Sequence, residues 1–129
     1  MAKEKEMITI ERTACYGACP VNTARIFADG TVIYRGEHFV KLTGEIRFQI
    51  SEKRVSDLIE AFETIDFFSL NNLYPTDVSC GPSTILTFAH GGRRKRVVNE
   101  HGFDVPRSLG TLADRVDILA RLNRLIGKR

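Results

Sequence analysis

The stretch Val21-Asn-Thr-Ala-Arg-Ile-Phe-Ala-Asp-Gly-Thr-Val-Ile-Tyr34 (VNTARIFADGTVIY) contains two short strand-like runs joined by an Asp-Gly pair. Residues 21–27 predict one strand, and residues 31–34 predict the strand that returns beside it. Asp29-Gly30 is the pair that a two-residue hairpin turn demands, because both central positions of such a turn need positive φ. The stretch therefore predicts a β-hairpin, from which the rest of the fold can be worked outward.

Further strands are predicted on both sides of this hairpin. Met7–Thr13 alternates apolar and polar residues before it, while His38–Thr43 and Glu45–Ile50 form two short runs around Gly44 after it. In the last run the apolar residues alternate with Arg47 and a glutamine, which suits a sheet with one face in water.

Two segments have helical periodicity. Ser51 is a favourable N-cap, and apolar residues recur at helical spacing from Val55 to Ile65. Pro106 suits the first turn of a second helix, whose apolar ridge continues to Leu125. Each helix therefore has one apolar face with which to pack on the sheet.

A polar loop, Asn71–Pro82, leads from the first helix to a second hairpin, Ser83–Ala89 and residues 93–99 around Gly91-Gly92. The element order is ββββ(β)–α–ββ–α. It predicts one α+β domain with a mainly antiparallel sheet and two helices packed on it. We expect a single domain over residues 7–127, preceded by a flexible charged tail at residues 1–6.

Composition narrows the classes of protein. The 129 residues are 43% hydrophobic, which suffices for one core, and the net charge of +3 does not by itself indicate nucleic acid. The sequence has no secretory-signal pattern and no apolar run near the roughly 18 residues of a membrane span. We therefore expect a cytoplasmic protein with no membrane partner, in a compartment where thiols are usually reduced.

Two of the three cysteines lie four positions apart, with Gly17 between Cys15 and Cys19 and Pro20 behind them. Gly17 and Pro20 argue against a helix, and pairing of the flanking strands would place the two cysteines opposite each other. Opposed strand residues lie roughly 4.5–5.5 Å apart at Cα, within the range of a disulfide. The preferred interpretation is a structural turn, with or without a disulfide, because small half-buried cysteines suit such a turn.

Two chemical interpretations of the cysteines stay open. A redox protein or thiol-dependent enzyme would use Cys15 and Cys19, with Cys80 as a third thiol, although their spacing lacks the C-x-x-C helix-terminus setting. A zinc site needs four ligands, so a histidine would have to join the three thiols. No second ligand pair has zinc-site spacing, so we expect no metal and no cofactor. Surface or capping positions are expected for the three histidines: His38, His90 and His101.

A basic run, Arg93-Arg94-Lys95-Arg96, follows the Gly-Gly turn of the second hairpin. Successive side chains on a strand point to opposite faces, so Arg93 and Lys95 would share one face, and Arg94 and Arg96 the other. The run could contact nucleic-acid phosphates, or it could protect an edge strand from aggregation. With no clustered aromatics beside it, nucleic acid is not the favoured partner.

The chain resembles a bacterial family of domains of unknown function. The hallmark Arg-Thr-x-Cys-x-Gly-x-Cys-Pro stands here at residues 12–20, and x-Asp-Gly-x-Val-x-Tyr follows at 28–34. The resemblance continues through Phe39-Val40, the segment Asp66–Leu70 and the hairpin before the last helix. It covers nearly the whole chain, and it implies the fold and a single domain rather than any particular activity.

The sequence departs from that family at two places. Asn22 stands where the family usually has Val-Tyr-like residues, and Cys80-Gly81-Pro82 stands where it tends to have Asp-x-Pro. The second departure removes an acidic group from the central loop and adds a third thiol.

The leading hypothesis is a non-enzymatic binding or interaction module for a protein or small-molecule partner. The rim of its open face would be formed by residues 15–20 and 71–82. The alternatives are a redox or metal-binding protein that uses the three cysteines, and a nucleic-acid binder that uses Arg93–Arg96. The sequence leaves open whether the protein is an enzyme.

Overall fold

The computed structural model describes residues 6–77 and 81–127. Seven strands of these ranges form one sheet: β1 (Glu6–Arg12), β2 (Val21–Phe27), β3 (Thr31–His38), β4 (Gly44–Gln49), β5 (Leu73–Tyr74), β6 (Thr84–His90) and β7 (Arg93–Asn99). The helical elements are α1 (Glu52–Thr64), a 3-10 helix (Phe67–Ser69), α2 (Arg107–Leu119) and the short α3 (Asn123–Ile126).

The strand order across the sheet is β4-β3-β2-β1-β6-β7-β5, so the first strand of the chain lies at the centre. Every neighbouring pair is antiparallel except β5 and β7. The predicted α+β fold with a mainly antiparallel sheet is therefore confirmed. The two residues of β5 lie inside the predicted loop Asn71–Pro82, and a strand this short has no periodicity to reveal it.

Both long helices cover the same face of the sheet. Ile8 and Ile10 of β1 are fully buried on that face, and the strand register places apolar residues beside them on β2, β3 and β6. Amphipathic helices α1 and α2 bury their apolar stripes against this layer and against each other. The main contributors from the helices are Val55, Leu58, Phe62, Leu109, Leu112 and Val116.

The two hairpins turn differently. Gly91 and Gly92 both have positive φ and close the predicted two-residue turn between β6 and β7. In the first hairpin only Gly30 has positive φ, and its N–H donates to the Phe27 carbonyl at 2.9 Å. The loop there has three residues, so the prediction of positive φ at both Asp29 and Gly30 is wrong in this detail. A type I turn followed by a left-handed glycine also joins antiparallel strands.

The predicted strand at His38–Thr43 is wrong, because β3 ends at His38 and the chain then bends towards the C-terminus. The Lys41 N–H donates to the Ile126 carbonyl at 3.1 Å, and the Leu42 N–H donates to the Leu125 carbonyl at 2.9 Å. These backbone groups are satisfied by α3 rather than by a neighbouring strand, which the local apolar pattern could not indicate.

The predicted last helix is divided in two. Arg121 has a φ of 60°, and the Leu122 N–H donates to the Asp117 carbonyl at 2.8 Å, which is the closing hydrogen bond of a Schellman motif. Pro106 stands just before the first helical residue, at the N-cap. No helix in the two described ranges is long and apolar enough to cross a membrane.

Candidate functional site

Cys15 and Cys19 are joined by a disulfide, with their Cα atoms 5.7 Å apart. Both residues are half-buried, while Tyr16, Gly17 and Ala18 between them are exposed. The Gly17 N–H donates to the Cys15 sulfur at 3.2 Å. The two cysteines therefore face each other across a tight turn, as the sequence predicted. Cys80 lies outside the described residues, so the alternative in which it joins the pair as a third thiol stays a hypothesis.

Thr13 fastens the disulfide loop to the start of β6. Its N–H donates to the Ser83 carbonyl at 3.0 Å, and its side-chain oxygen accepts a hydrogen bond of 2.8 Å from the Ser83 N–H. These two bonds extend the pairing of β1 with β6 beyond the strand ends. The start of the disulfide loop is consequently held against Ser83.

The helix-facing side of the sheet becomes polar at this end. The register aligns Asn22, Arg12, Thr84 and Asn99 in one row across β2, β1, β6 and β7. Three of the four are buried, and Arg12 is half-buried. Buried polar side chains need hydrogen-bond partners, so this row defines a polar corner in an otherwise apolar layer.

Asp117 of α2 reaches into the polar corner. It is fully buried, and its carboxylate accepts a 2.5 Å hydrogen bond from Nη2 of Arg12. Nη1 of Arg12 and both amide atoms of Asn22 are also buried, and they have no hydrogen-bond partner among the described residues. Since such groups are costly to leave unpaired, an oxygen atom entering this corner would gain donors already in place.

His101 contacts Thr84 of the polar corner. Its backbone N–H donates to the Asn99 side chain at 2.7 Å, and its Nε2 lies 3.0 Å from the Thr84 hydroxyl. Although much of the residue is exposed, this ring nitrogen reaches a buried partner. Burial lowers the pKa of the imidazole, and the nearby Arg12 charge lowers it further. The ring is therefore neutral near pH 7.

Tyr34 lies on the same face of the sheet as the polar corner, two residues before Gly36 on β3. Its hydroxyl donates to the carbonyl oxygens of Leu42 and Leu125, at 3.1 and 3.4 Å. Burial raises the pKa of this phenol, and the Arg12 charge opposes the rise. The hydroxyl thus stays protonated and ties β3 to the C-terminal segment.

A cleft of about 310 Å³ opens between the disulfide loop and His101. Its polar lining comes from Arg12, Ser83, Thr84 and His101, and Cys19 lies in its wall. Apolar lining is contributed by Pro20, Pro82 and Ile126. A mostly apolar cavity with a few convergent polar groups is the usual form of a small-molecule site, and this volume is at the lower end of the range.

Exposed aromatic side chains surround the same end of the sheet. Tyr16 of the disulfide loop is 89% exposed, Phe103 is completely exposed, and Phe39 is 63% exposed. The three residues belong to loops that leave β1, β7 and β3 at this end. Aromatic side chains are enriched at protein–protein contact surfaces.

The basic run lies at the opposite end of the sheet. Arg93 pairs with His90 beside the hairpin turn, six residues or roughly 20 Å from the Thr84–Asn99 pair. The guanidinium of Arg93 lies 4.1 Å from the ring centroid of Phe68. The cysteine loop and the basic run therefore form no common site.

Arg94 and Arg96 point to the helix-free face, where the register adds arginines from other strands. One row across the sheet contains Arg47, Ile33, Arg25, Thr9, Thr87 and Arg96. Arg35 lies in the next row, opposite Glu45. A groove of about 460 Å³ lies on this face between Arg25 and Arg47.

Within residues 6–77 and 81–127 there is no group of three or more His, Cys, Asp or Glu side chains placed to hold a metal ion. His90 ends β6 at the opposite end of the sheet from Cys15 and Cys19, whereas His38 pairs with Val21 of β2, and neither histidine belongs to such a group among the described residues.

Sequence reasoning missed Arg12, Asn22, Thr84 and Asp117 as site residues. A signal was present, because Arg12, Asn22 and Thr84 occupy inward positions of the apolar alternation in their strands. A polar residue at such a position in several strands indicates a buried polar corner. Asp117 lies four residues before Arg121 in the sequence, a spacing that is typical of an exposed ion pair on a helix and does not indicate a buried site.

The fold and the site define a small α+β domain with a disulfide-closed loop beside a cleft. The chain belongs to the family described as domain of unknown function DUF6438, whose model matches residues 6–120. The match includes the disulfide loop, the polar corner and α2. The predicted membership in a family of domains of unknown function is confirmed, and a bacterial source stays a prediction. No curated protein and no solved structure matches this chain.

Proposed function

We propose that the domain is a binding module that takes a small ligand bearing a carboxylate or similar oxyanion in the cleft beside the disulfide. One observation carries the proposal: the buried Nη1 of Arg12 and the buried amide of Asn22 have no partner among the described residues, although they are neighbours across β1 and β2.

The guanidinium of Arg12 suits an oxyanion. Arginine presents its N–H groups in a planar fork that matches a carboxylate, and Asp117 holds one side of that fork in place. Because the side chain is already ordered, little rotamer freedom is left to lose when a ligand binds. Asp117 also balances much of the charge, so selectivity for an oxyanion would depend on hydrogen bonds more than on net attraction.

The other walls of the cleft determine which chemical groups the rest of the ligand would carry. Hydroxyl groups of Ser83 and Thr84 and the neutral ring of His101 can donate or accept hydrogen bonds. Pro20 and Pro82 provide apolar surface in the same cleft. The ligand would therefore have a polar end at Arg12 and a small apolar portion towards the disulfide loop.

The test uses Asn22→Leu with Asn72→Leu as control. Asn22 is 1% exposed and Asn72 is exposed. Replacing an unpaired buried amide by an apolar group of similar volume is near neutral or stabilising, so the Tm of Asn22→Leu should equal or exceed that of the native protein. The proposed function predicts that the same variant no longer responds to ligand.

The measurement is the Tm with a panel of small carboxylates, each paired with its amide. A carboxylate at 100 times its Kd should add about 2.7 kcal/mol to the free energy of unfolding of the native protein and of Asn72→Leu. Neither the amides nor Asn22→Leu should show this increase. The proposal is wrong if every carboxylate behaves as its amide, or if Asn22→Leu keeps the response.

A second candidate function is the binding of single-stranded nucleic acid on the helix-free face, and we propose it because that face gathers exposed arginines from four strands. These five arginines outnumber the glutamates on that face, which are Glu6, Glu11 and Glu45. Threonine hydroxyls lie between the arginines. The arginines are Arg25, Arg35, Arg47, Arg94 and Arg96. Guanidinium and hydroxyl groups are the usual donors to phosphate oxygens.

This candidate is tested by fluorescence anisotropy with a labelled single-stranded oligonucleotide between 50 and 200 mM salt. Affinity should fall steeply with salt, and Arg25→Gln with Arg47→Gln should reduce the slope by about two phosphate contacts. Lys53→Gln with Arg115→Gln removes the same charge from the helices and should leave the slope unchanged. Equal slopes for the two double variants would refute the candidate.

A further inference from the structure

The two cysteines of the disulfide have different surroundings. Cys19 lies in the wall of the cleft together with Arg12 and His101. The sulfur of Cys15 instead accepts a hydrogen bond from the Gly17 N–H at 3.2 Å. We propose that Cys15–Cys19 is a redox-active disulfide that reacts with a small anionic thiol bound in the cleft, with attack at Cys19 and departure of Cys15. This inference rests on the proposed oxyanion site.

The exchange is a two-electron transfer in two steps. The thiolate of the ligand, its proton already lost to water, attacks the Cys19 sulfur. A ligand–Cys19 disulfide forms, the Cys15–Cys19 bond breaks, and the electron pair leaves on Cys15 as a thiolate. A second molecule of the ligand, also as its thiolate, then attacks the ligand sulfur, the ligand–Cys19 bond breaks, and Cys19 leaves as a thiolate, after which both cysteines take up protons from water. The ligand is oxidised to its disulfide, and the protein is left with two reduced cysteines.

Cys15 is suited to be the leaving group. A hydrogen bond to sulfur favours the thiolate over the thiol, and a more stable thiolate leaves faster in exchange. The donor is a backbone N–H inside the five-residue loop that the disulfide closes, so it remains beside Cys15 after the bond breaks.

Cys19 is suited to be the sulfur under attack. It shares the cleft with Arg12, whose guanidinium would hold the carboxylate of an incoming thiol and keep its sulfur near the wall. His101, neutral near pH 7, adds no competing cation.

Reduction can proceed without disturbing the sheet. Thr13 stays bonded to Ser83 on one side of the loop, and β2 begins at Val21 on the other side. Only the residues between them need to move, and Tyr16, Gly17 and Ala18 are exposed. The five-residue loop can therefore open and close while the domain remains folded.

The experiment exposes the oxidised protein to 3-mercaptopropionate or to neutral 2-mercaptoethanol, with rates compared per thiolate. Iodoacetamide traps the products, and peptide mass spectrometry locates the thiol adduct and the alkylated cysteine. The expected product has the thiol adduct on Cys19 and the alkyl group on Cys15. It should be at least tenfold more abundant than the product with these two modifications exchanged. Mercaptopropionate should react at least tenfold faster than mercaptoethanol, and a disulfide-closed peptide of residues 12–21 should lack both preferences.

The single-cysteine variants supply a second measurement. Cys19→Ala should leave a Cys15 thiol that is alkylated at lower pH than the Cys19 thiol of Cys15→Ala. Adducts shared equally between the cysteines, or protein rates equal to those of the peptide, would overturn the inference. Equal rates for the anionic and neutral thiols would overturn the assigned ligand class. The carboxylate panel, whose members have no thiol, decides the binding function separately.

Discussion

Arg12 on β1 and Asp117 on α2 form a buried ion pair at 2.5 Å, although 105 positions separate them in the chain. Asp117 is fully buried, and the Arg12 side chain is 14% exposed. A carboxylate at this depth requires a cation and hydrogen bonds to compensate for its lost hydration. The pair therefore fixes α2 over the polar corner and orients the guanidinium at the cleft.

Arg12→Met should reduce the free energy of unfolding by about 3–5 kcal/mol, because it removes the arginine that forms an ion pair with a buried carboxylate. Adding Asp117→Leu to that variant should recover most of the loss. Urea denaturation provides the measurement, and Lys53→Met at the exposed Lys53–Asp57 pair is the control, with an expected loss under about 1 kcal/mol. A double variant no more stable than Arg12→Met would contradict the assignment.

Replacing both cysteines with serine should have a small effect on stability. A disulfide that closes five residues contributes only about 2 kcal/mol in the chain-entropy model, and Thr13 anchors the loop independently. We expect Cys15→Ser with Cys19→Ser to unfold cooperatively in urea with a loss of this size or less. A variant without a cooperative transition would show that the disulfide holds the domain together.

Gly36 and Gly110 should respond oppositely to alanine. A Cβ at Gly36 would clash with the Leu42 carbonyl oxygen and the Tyr34 hydroxyl, so Gly36→Ala should cost about 1–3 kcal/mol. Gly110 lies within α2 with nothing near its Cβ position, and Gly110→Ala should add about 0.5–1 kcal/mol. Thermal and urea unfolding of the two variants, measured side by side, check both signs. A stabilised Gly36→Ala would be inconsistent with the packing of residues 39–43.

His101 should titrate below its usual pKa of 6.5, because burial and the Arg12 charge both disfavour the imidazolium. The folded state then binds this proton less readily than the unfolded state, so the stabilising contribution is complete above pH 6.5 and is lost as the pH falls through the lower, folded-state pKa. NMR titration of the ring gives the pKa directly.

Urea unfolding at several values between pH 7.5 and 5 should show a weaker pH dependence for His101→Asn. Asparagine tolerates the left-handed backbone at this position, where φ is 62°. His38→Asn, at an exposed histidine, is the matched control. A His101 pKa at or above 6.5 would contradict the expected electrostatics.

The parts of the fold that depend on local sequence could be predicted. Gly91 and Gly92 predicted their turn because glycine readily adopts the positive φ that both positions have. Ser51 predicted the start of α1, where its side chain accepts a hydrogen bond from the Arg54 N–H at 3.2 Å. Two of the errors arose where distant segments decide the conformation. Residues 39–43 bond to α3, and β5 exists only because β7 lies beside it.

The candidate site likewise has a part that local sequence predicts and a part that only the assembled fold reveals. Cys15 and Cys19 were found because five residues of sequence are enough to define their turn. Arg12, Thr84 and Asp117 come from β1, β6 and α2, and only the assembled sheet brings them together. Their types were visible in the sequence, but the register that aligns them was not.

The central position of β1 in the sheet also affects how the chain folds during its synthesis. A ribosome releases β1 to β4 first, and these four strands can pair as a meander while one long edge of β1 has no neighbour. That edge, which includes Ile8 and Ile10, is closed only when β6 emerges more than 70 residues later. During this interval the nascent chain exposes an apolar strand that could pair with another copy, and chaperone protection would be most useful to it then.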